Sequence, residues 1–96
     1  MDELIIYLKK MLRVNTRSAD EELENLVNAC MGEMKIKGVQ GEVTDPLYRQ
    51  AIVLYVKAHY GYDKDSEKFQ KSYENLCDSM ALCGEYAGKE GREDGV

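Results

Sequence analysis

The chain has 96 residues, of which 44% are hydrophobic and 32% are charged, and its formal net charge is −5. This hydrophobic content can bury a core, so the composition excludes a disordered chain, and the length fits one domain. The acidic balance disfavours a protein that binds nucleic acid by neutralising phosphates, because such proteins concentrate Lys and Arg on one face. Only one proline interrupts the chain, which favours an all-α fold.

The cysteine count and the absence of targeting signals bear on the compartment. Cys30, Cys77 and Cys83 cannot all pair within one chain, and this suits a reducing environment. The first residues lack the basic segment of a signal peptide, and no apolar run approaches the roughly 20 residues that span a bilayer. We therefore expect a cytosolic protein that is neither exported nor inserted into a membrane.

The first two helices are predicted from apolar residues that recur on one face. Helix one covers about residues 2–13, with acids in its first turn and bases in its last, an order that complements the helix dipole. Helix two covers about residues 18–37. Ser18 and Glu21 have the spacing of a capping box at its start, and Gly38 suits the left-handed position after its end.

Helix three is predicted over about residues 45–61, with Thr44 or Asp45 as its cap and Pro46 in its first turn. Residues 51–56 are apolar on nearly every side, which is typical of the buried centre of a domain. A β-strand is the competing interpretation because several of these residues are β-branched. The apolar segment is too long for a typical strand, so we prefer the helix.

Helix four is predicted over about residues 65–83, again from a one-sided apolar pattern. The fold class is thus a compact all-α bundle of four helices with helix three at its centre, forming one domain over residues 1–83. Residues 84–96 contain four of the eight glycines and no face to bury. We expect them to form a flexible, Gly-rich acidic tail.

No catalytic, metal or cofactor site is predicted. His59 is the only histidine, and Asp63 is the single helical neighbour that could orient its ring. The cysteines lack the spacing of a zinc site, and the common phosphate, dinucleotide, acyl-transfer and zinc-hydrolase motifs do not occur. We interpret His59 as structural or exposed, and Cys30 and Cys77 as buried hydrophobic side chains. A thiol-dependent enzyme stays a weaker alternative without a nameable substrate.

The tyrosines are the candidate interface residues. The chain has seven tyrosines and one phenylalanine, and a tyrosine combines a large apolar ring with a polar tip that suits protein interfaces. Tyr48, Tyr60, Tyr62 and Tyr86 are the ones that we single out. The alternative is that these rings seal the margin of the core of a small domain.

Four segments carry a resemblance to a known family. They are LKKMLRV at 8–14, DEELENLVNA at 20–29, DPLYRQAIVLYVKAHYGY at 45–62 and SEKFQKSYENL at 66–76. Together they resemble the small head-tail connector proteins of tailed bacteriophages and prophages, over roughly residues 3–86. Cys30 and Cys83 depart from the small residues expected there, and the tail has an uncertain counterpart.

The resemblance implies a structural adaptor without enzymatic activity, of a family also described as DNA-packaging proteins. Its partners would be the portal protein, other copies of itself in a ring under the portal, and further tail-joining proteins. DNA would pass through the ring without specific binding, and no membrane or cofactor would be involved. The location would be the virion neck, after assembly in the cytoplasm of the bacterial host.

Within such an adaptor, we expect helix four and the tail to face the portal, because a flexible segment can order on docking. The alternative function is a small helical regulatory protein that binds DNA or a repressor.

Overall fold

The computed structural model describes residues 2–60, 64–84 and 86, and in these ranges it contains four α-helices and no β-strand. The helices are α1 (Asp2–Leu12), α2 (Ser18–Ile36), α3 (Pro46–His59) and α4 (Ser66–Leu82). The predicted all-α fold is confirmed, and each helix end lies within two residues of its predicted position. The competing strand interpretation of residues 51–56 is wrong.

α3 occupies the centre of the bundle, packing against α4 along its length and also against α2, while α1 packs on α2. Ala51, Ile52 and Val56 on α3 are fully buried. Leu54 is half-buried at the margin of the core. The predicted burial of this segment is thus confirmed, because one central helix must cover apolar faces on two sides.

Gly38 ends α2 in the left-handed conformation that its position predicts, with a φ of 87°. The Val39 amide donates to the Met34 carbonyl at 2.8 Å, and the Gly38 amide donates to the Lys35 carbonyl at 3.0 Å. These two hydrogen bonds satisfy carbonyl groups that a helix end otherwise leaves without partners. Val39 and Met34 are both buried, which seals the end of the helix.

The cap predictions divide between the helices. Of the two predicted caps of α3, Thr44 and Asp45, the structure has Asp45: its backbone is extended, and its Oδ1 accepts a hydrogen bond from the Leu47 amide at 3.0 Å. The capping box predicted at Ser18 is wrong, because the Ser18 hydroxyl donates to Thr16 Oγ1 at 3.4 Å. Arg17 already has helical backbone angles, so Ser18 lies inside the helix and not at the extended cap position that the motif requires.

Candidate interaction surface

The four candidate tyrosines occupy different environments. Tyr48 and Tyr86 are only 4% and 7% exposed, so both rings lie mainly in the core of their own chain. Tyr60 is half-buried against that core at the end of α3. Tyr62 lies outside the described residues. The structure therefore places Tyr48 and Tyr86 as the alternative core interpretation expects, and a role for the four in an interface stays a prediction.

Tyr86 joins the chain after α4 to the connection between α2 and α3. Its hydroxyl donates to Asp45 Oδ1 at 3.0 Å, and its carbonyl accepts from the Gln40 amide at 2.7 Å. The predicted tail of residues 84–96 thus includes one residue that packs on the helices. Residues 87–96 lie outside the described residues, and their flexibility stays a prediction.

Tyr48 is buried beside a glycine that gives its ring room. A Cβ atom at Gly41 would lie 2.7 Å from Cδ1 of Tyr48, closer than two carbons can approach. The α2–α3 connection therefore runs directly over the Tyr48 ring. The pattern of the sequence around Gly41 does not predict this contact.

Three exposed apolar side chains lie at the end of the bundle that Tyr86 joins. Ile36 and Leu82, the last residues of α2 and α4, are 87% and 90% exposed, and Leu47 in the first turn of α3 is also exposed. Gln40 and Tyr86 follow Ile36 and Leu82 by four residues each and are hydrogen-bonded to one another. We call Ile36, Leu47 and Leu82 the carboxyl-end surface. Large exposed apolar side chains at one end of a bundle suit a docking surface.

α1 carries a second exposed apolar pair, Ile6 and Tyr7, which are 57% and 45% exposed. The Arg49 guanidinium lies 5.4 Å from the centre of the Tyr7 ring and its Nε donates to the Val43 carbonyl at 3.0 Å. An open groove of about 460 Å³ follows along the helix. It is lined by Ile6, Lys9, Lys10, Arg13, Val14 and Asn15. This surface combines apolar and cationic side chains.

Two of the three thiols are shielded from solvent and from reagents. Cys30 and Cys77 are fully buried, and burial raises the pKa of Cys30 to about 12 and also raises the pKa of Cys77. The nearby Tyr73 hydroxyl acts in the opposite direction on both thiols, but less strongly. Thiols in this state are protonated and poor nucleophiles. Their predicted role as buried hydrophobic side chains is confirmed.

Among the described residues, the hydrogen-bond partner of the His59 ring is an amide and not an acid. Its Nε2 lies 3.1 Å from Gln70 Oε1, and Gln70 in turn donates to Glu74 Oε2 at 3.0 Å. The imidazole also packs on the ring of Tyr55, with centres 4.2 Å apart. His59 is exposed and joins α3 to α4, whereas Asp63, its predicted neighbour, lies outside the described residues. The arrangement is the structural one that the sequence favours.

Within the described ranges, no group of three or more His, Cys, Asp and Glu side chains is placed to hold a metal ion. Of the helices in those ranges, none is long and apolar enough to cross a membrane.

Comparison with known families identifies a family to which the chain belongs. The family model described as phage connector protein matches residues 4–87, which includes nearly all of α1, the other three helices and Tyr86. No curated protein and no solved structure matches the chain. The matched range agrees with the segments that carry the resemblance in the sequence.

Proposed function

Because the chain belongs to the phage connector protein family, we propose that it is the head-tail connector that joins the DNA-filled head of a tailed bacteriophage or prophage to its tail. The observation that carries this proposal is the family match across the whole bundle. The family is one of structural proteins. The protein acts in the virion neck through contacts between proteins and catalyses no reaction.

Copies of the protein assemble as a ring under the portal. A ring forms when one face of a subunit binds a different face of the next, and the rotation closes. A small helical domain with exposed apolar groups on separate helices offers the different faces that this requires. Tyr60 lies at the end of α3 opposite Asp45 and remains a candidate for these contacts.

The carboxyl-end surface and residues 87–96 bind the portal protein. Leu82 ends α4, and Tyr86 fixes the start of the remaining chain beside the same end of the bundle. The exposed apolar groups thus lie at the end of the bundle where Tyr86 is held. An apolar contact of this kind stabilises a complex in proportion to the area that it removes from water.

DNA passes through the ring without specific binding. The net charge of −5 supports this, since like charges disfavour tight contacts with phosphates. Residues 63–96 carry nine acids against five bases, so the excess of negative charge lies in the second part of the chain.

The test is to mix the purified protein with the portal protein of the same phage and to determine particle mass by light scattering and symmetry by electron microscopy. We expect a ring of this protein on the portal. Leu82→Ser should weaken that binding, whereas Lys71→Ser, an exposed change elsewhere on α4, should leave it unaltered. Absence of a complex would contradict the proposal. A salt-dependent mobility shift of duplex DNA at physiological ionic strength would favour the regulatory alternative.

A further inference from the structure

The charges of α1 are separated in a way that prevents pairing within the helix. Asp2 and Glu3 lie in the first turn, and Lys9 and Lys10 lie in the last. Helical side chains meet when they are three or four residues apart, whereas these acids and bases are at least six apart. Lys9 binds Asp20 of α2 at 2.7 Å. In the described part of the chain, no ion pair involves Asp2, Glu3 or Lys10.

The apolar residue Ile6 lies midway between these charges on the side of α1 that faces away from the bundle. Leu4, Ile5 and Leu8 form the buried side. Since successive residues are rotated by about 100°, Asp2, Ile6 and Lys10 share the outer side. Ile6 is four residues from each charged residue, so an acid, an apolar residue and a base follow one another along the exposed face at intervals of four residues. We call Asp2, Ile6 and Lys10 the α1 face.

Such a face is complementary to itself when one copy is reversed. In an antiparallel pair of α1 helices centred on Ile6, the residue opposite Asp2 is Lys10 and the residue opposite Lys10 is Asp2. A parallel pair would place like charges together. The helix dipole favours acids at the start of α1 and bases at its end, but it does not account for the exposed Ile6 between them.

We propose that the α1 face binds the α1 face of a second copy of this chain, with the two helices antiparallel and related by a twofold axis beside Ile6. The two Ile6 side chains remove each other from water, and two Asp2–Lys10 ion pairs flank them. This contact uses the same patch on both subunits and is therefore distinct from the contact that closes a ring. It goes beyond the proposed connector function and does not depend on it.

The pairing is expected to be weak. An 11-residue helix is about 16 Å long, so the contact is smaller than the roughly 800 Å² per partner of a stable interface. Dimers should therefore form only at high protein concentration. Because exposed ion pairs are screened by salt, the association should weaken as ionic strength rises.

The experiment is sedimentation velocity of the full chain over a wide range of protein concentration, at low and high salt. The wild type should sediment faster as concentration rises at low salt. Lys10→Glu and Asp2→Lys should each abolish this increase, because each places like charges at both ends of the contact. Lys71→Glu makes the first charge change on the exposed side of α4 and should leave the association intact.

Two combinations distinguish this geometry from a general charge effect. An equimolar mixture of the Lys10→Glu and Asp2→Lys proteins should dimerise, and so should the protein that carries both changes, since each restores opposite charges across the axis. Circular dichroism confirms that each variant is folded. A wild type that stays monomeric at every concentration, or a mixture that stays monomeric, would overturn the proposal. Portal binding is measured separately, so failure here is distinct from failure of the connector function.

Discussion

Among the residues that the structure describes, two end a helix in the left-handed conformation, Gly38 with a φ of 87° and Arg13 with a φ of 59°. The hydrogen bonds are equivalent, since the Val14 amide donates to the Lys9 carbonyl at 2.9 Å just as Val39 donates to Met34. Glycine adopts this conformation without penalty, whereas a side chain brings its Cβ too close to a carbonyl oxygen. The end of α1 is therefore the more strained of the two.

Gly38→Ala should lower the free energy of unfolding by about 1 kcal/mol, because alanine must take up the left-handed conformation. Gly32→Ala is the matched control. A Cβ at Gly32, inside α2, would meet no heavy atom within 4 Å. That change should raise the free energy of unfolding by about 0.5–1 kcal/mol, since alanine favours the helix. Urea denaturation followed by circular dichroism measures both. Effects of the same sign at the two positions would contradict this account.

The buried thiol of Cys30 should make the protein less stable in alkali. An unfolded thiol loses its proton near its ordinary pKa of 9.0, whereas burial holds the pKa of Cys30 in the folded chain at about 12. Between these values the unfolded chain binds fewer protons. Cys30 should therefore reduce the free energy of unfolding as pH rises through this window, by up to about 1.4 kcal/mol per pH unit. Well below pH 9.0 it contributes no such dependence.

Urea denaturation at a series of alkaline pH values measures that slope. Cys30→Ala should make the dependence of the free energy of unfolding on pH shallower, by an amount that corresponds to at most one proton. Cys77 and Tyr73, whose pKa values burial also raises, continue to contribute. Met34→Ala is the control for the cavity that such a change leaves, because Met34 is fully buried on α2 and has no proton to lose. It should lower stability by a similar amount at every pH. An unaltered slope in Cys30→Ala would refute the assignment.

At the scale of the element, the carboxylate of Asp45 at the start of α3 makes two different contacts. Asp45 Oδ1 accepts hydrogen bonds from the Leu47 amide and from the Tyr86 hydroxyl, each at 3.0 Å. The same oxygen thus caps the central helix and binds the chain that leaves α4. The start of α3 and the chain after α4 are therefore energetically coupled.

Asp45→Ala should lower the free energy of unfolding by about 1–2 kcal/mol, since it removes the cap and leaves the Tyr86 hydroxyl without this acceptor. Tyr86→Phe should cost less, because the cap survives. The protein that carries both changes should lose less free energy of unfolding than the sum of the losses in the two single variants. A double-mutant cycle by thermal or urea denaturation measures the difference. Strictly additive effects would show that the hydroxyl and the carboxylate do not interact.

The elements themselves could be predicted from the sequence because their signals are local. Apolar residues at helical spacing place the four helices, and Asp45 before Pro46 marks the start of α3. The cap at Ser18 could not be predicted, because it depends on whether the backbone of Arg17 is already helical. The neighbouring polar residues are compatible with a helical and with an extended Arg17. Tyr86 could not be placed either. Its partner Asp45 is 41 residues away, and no periodic pattern surrounds it.

At the scale of the whole molecule, the family could be predicted and the proposed contact surface could not. The resemblance depends on the order of core and cap residues, which the family match also spans. The tyrosines do not distinguish a core from an interface, because an apolar ring with a polar tip suits both environments. Ile36 and Leu82 lie at helix ends, where periodicity does not determine which side chains are exposed.

Two truncations separate the part of the carboxyl-terminal segment that stabilises the fold from the part proposed to bind the portal. A chain that ends at Tyr86 keeps the contacts with Asp45 and Gln40, so it should unfold at the same urea concentration as the full chain. A chain that ends at Cys83 loses a buried aromatic ring and both hydrogen bonds, and it should unfold at a clearly lower concentration.

Portal binding should respond differently to the same pair. The chain that ends at Tyr86 should bind the portal protein more weakly than the full chain although its stability is unchanged, because only residues 87–96 are missing. Light scattering of the mixture with portal protein measures this. If binding is unaltered, those residues have no part in docking and the carboxyl-end surface alone must account for it. If both truncations unfold like the full chain, Tyr86 does not stabilise the bundle, and its hydrogen bond to Asp45 contributes nothing to the fold.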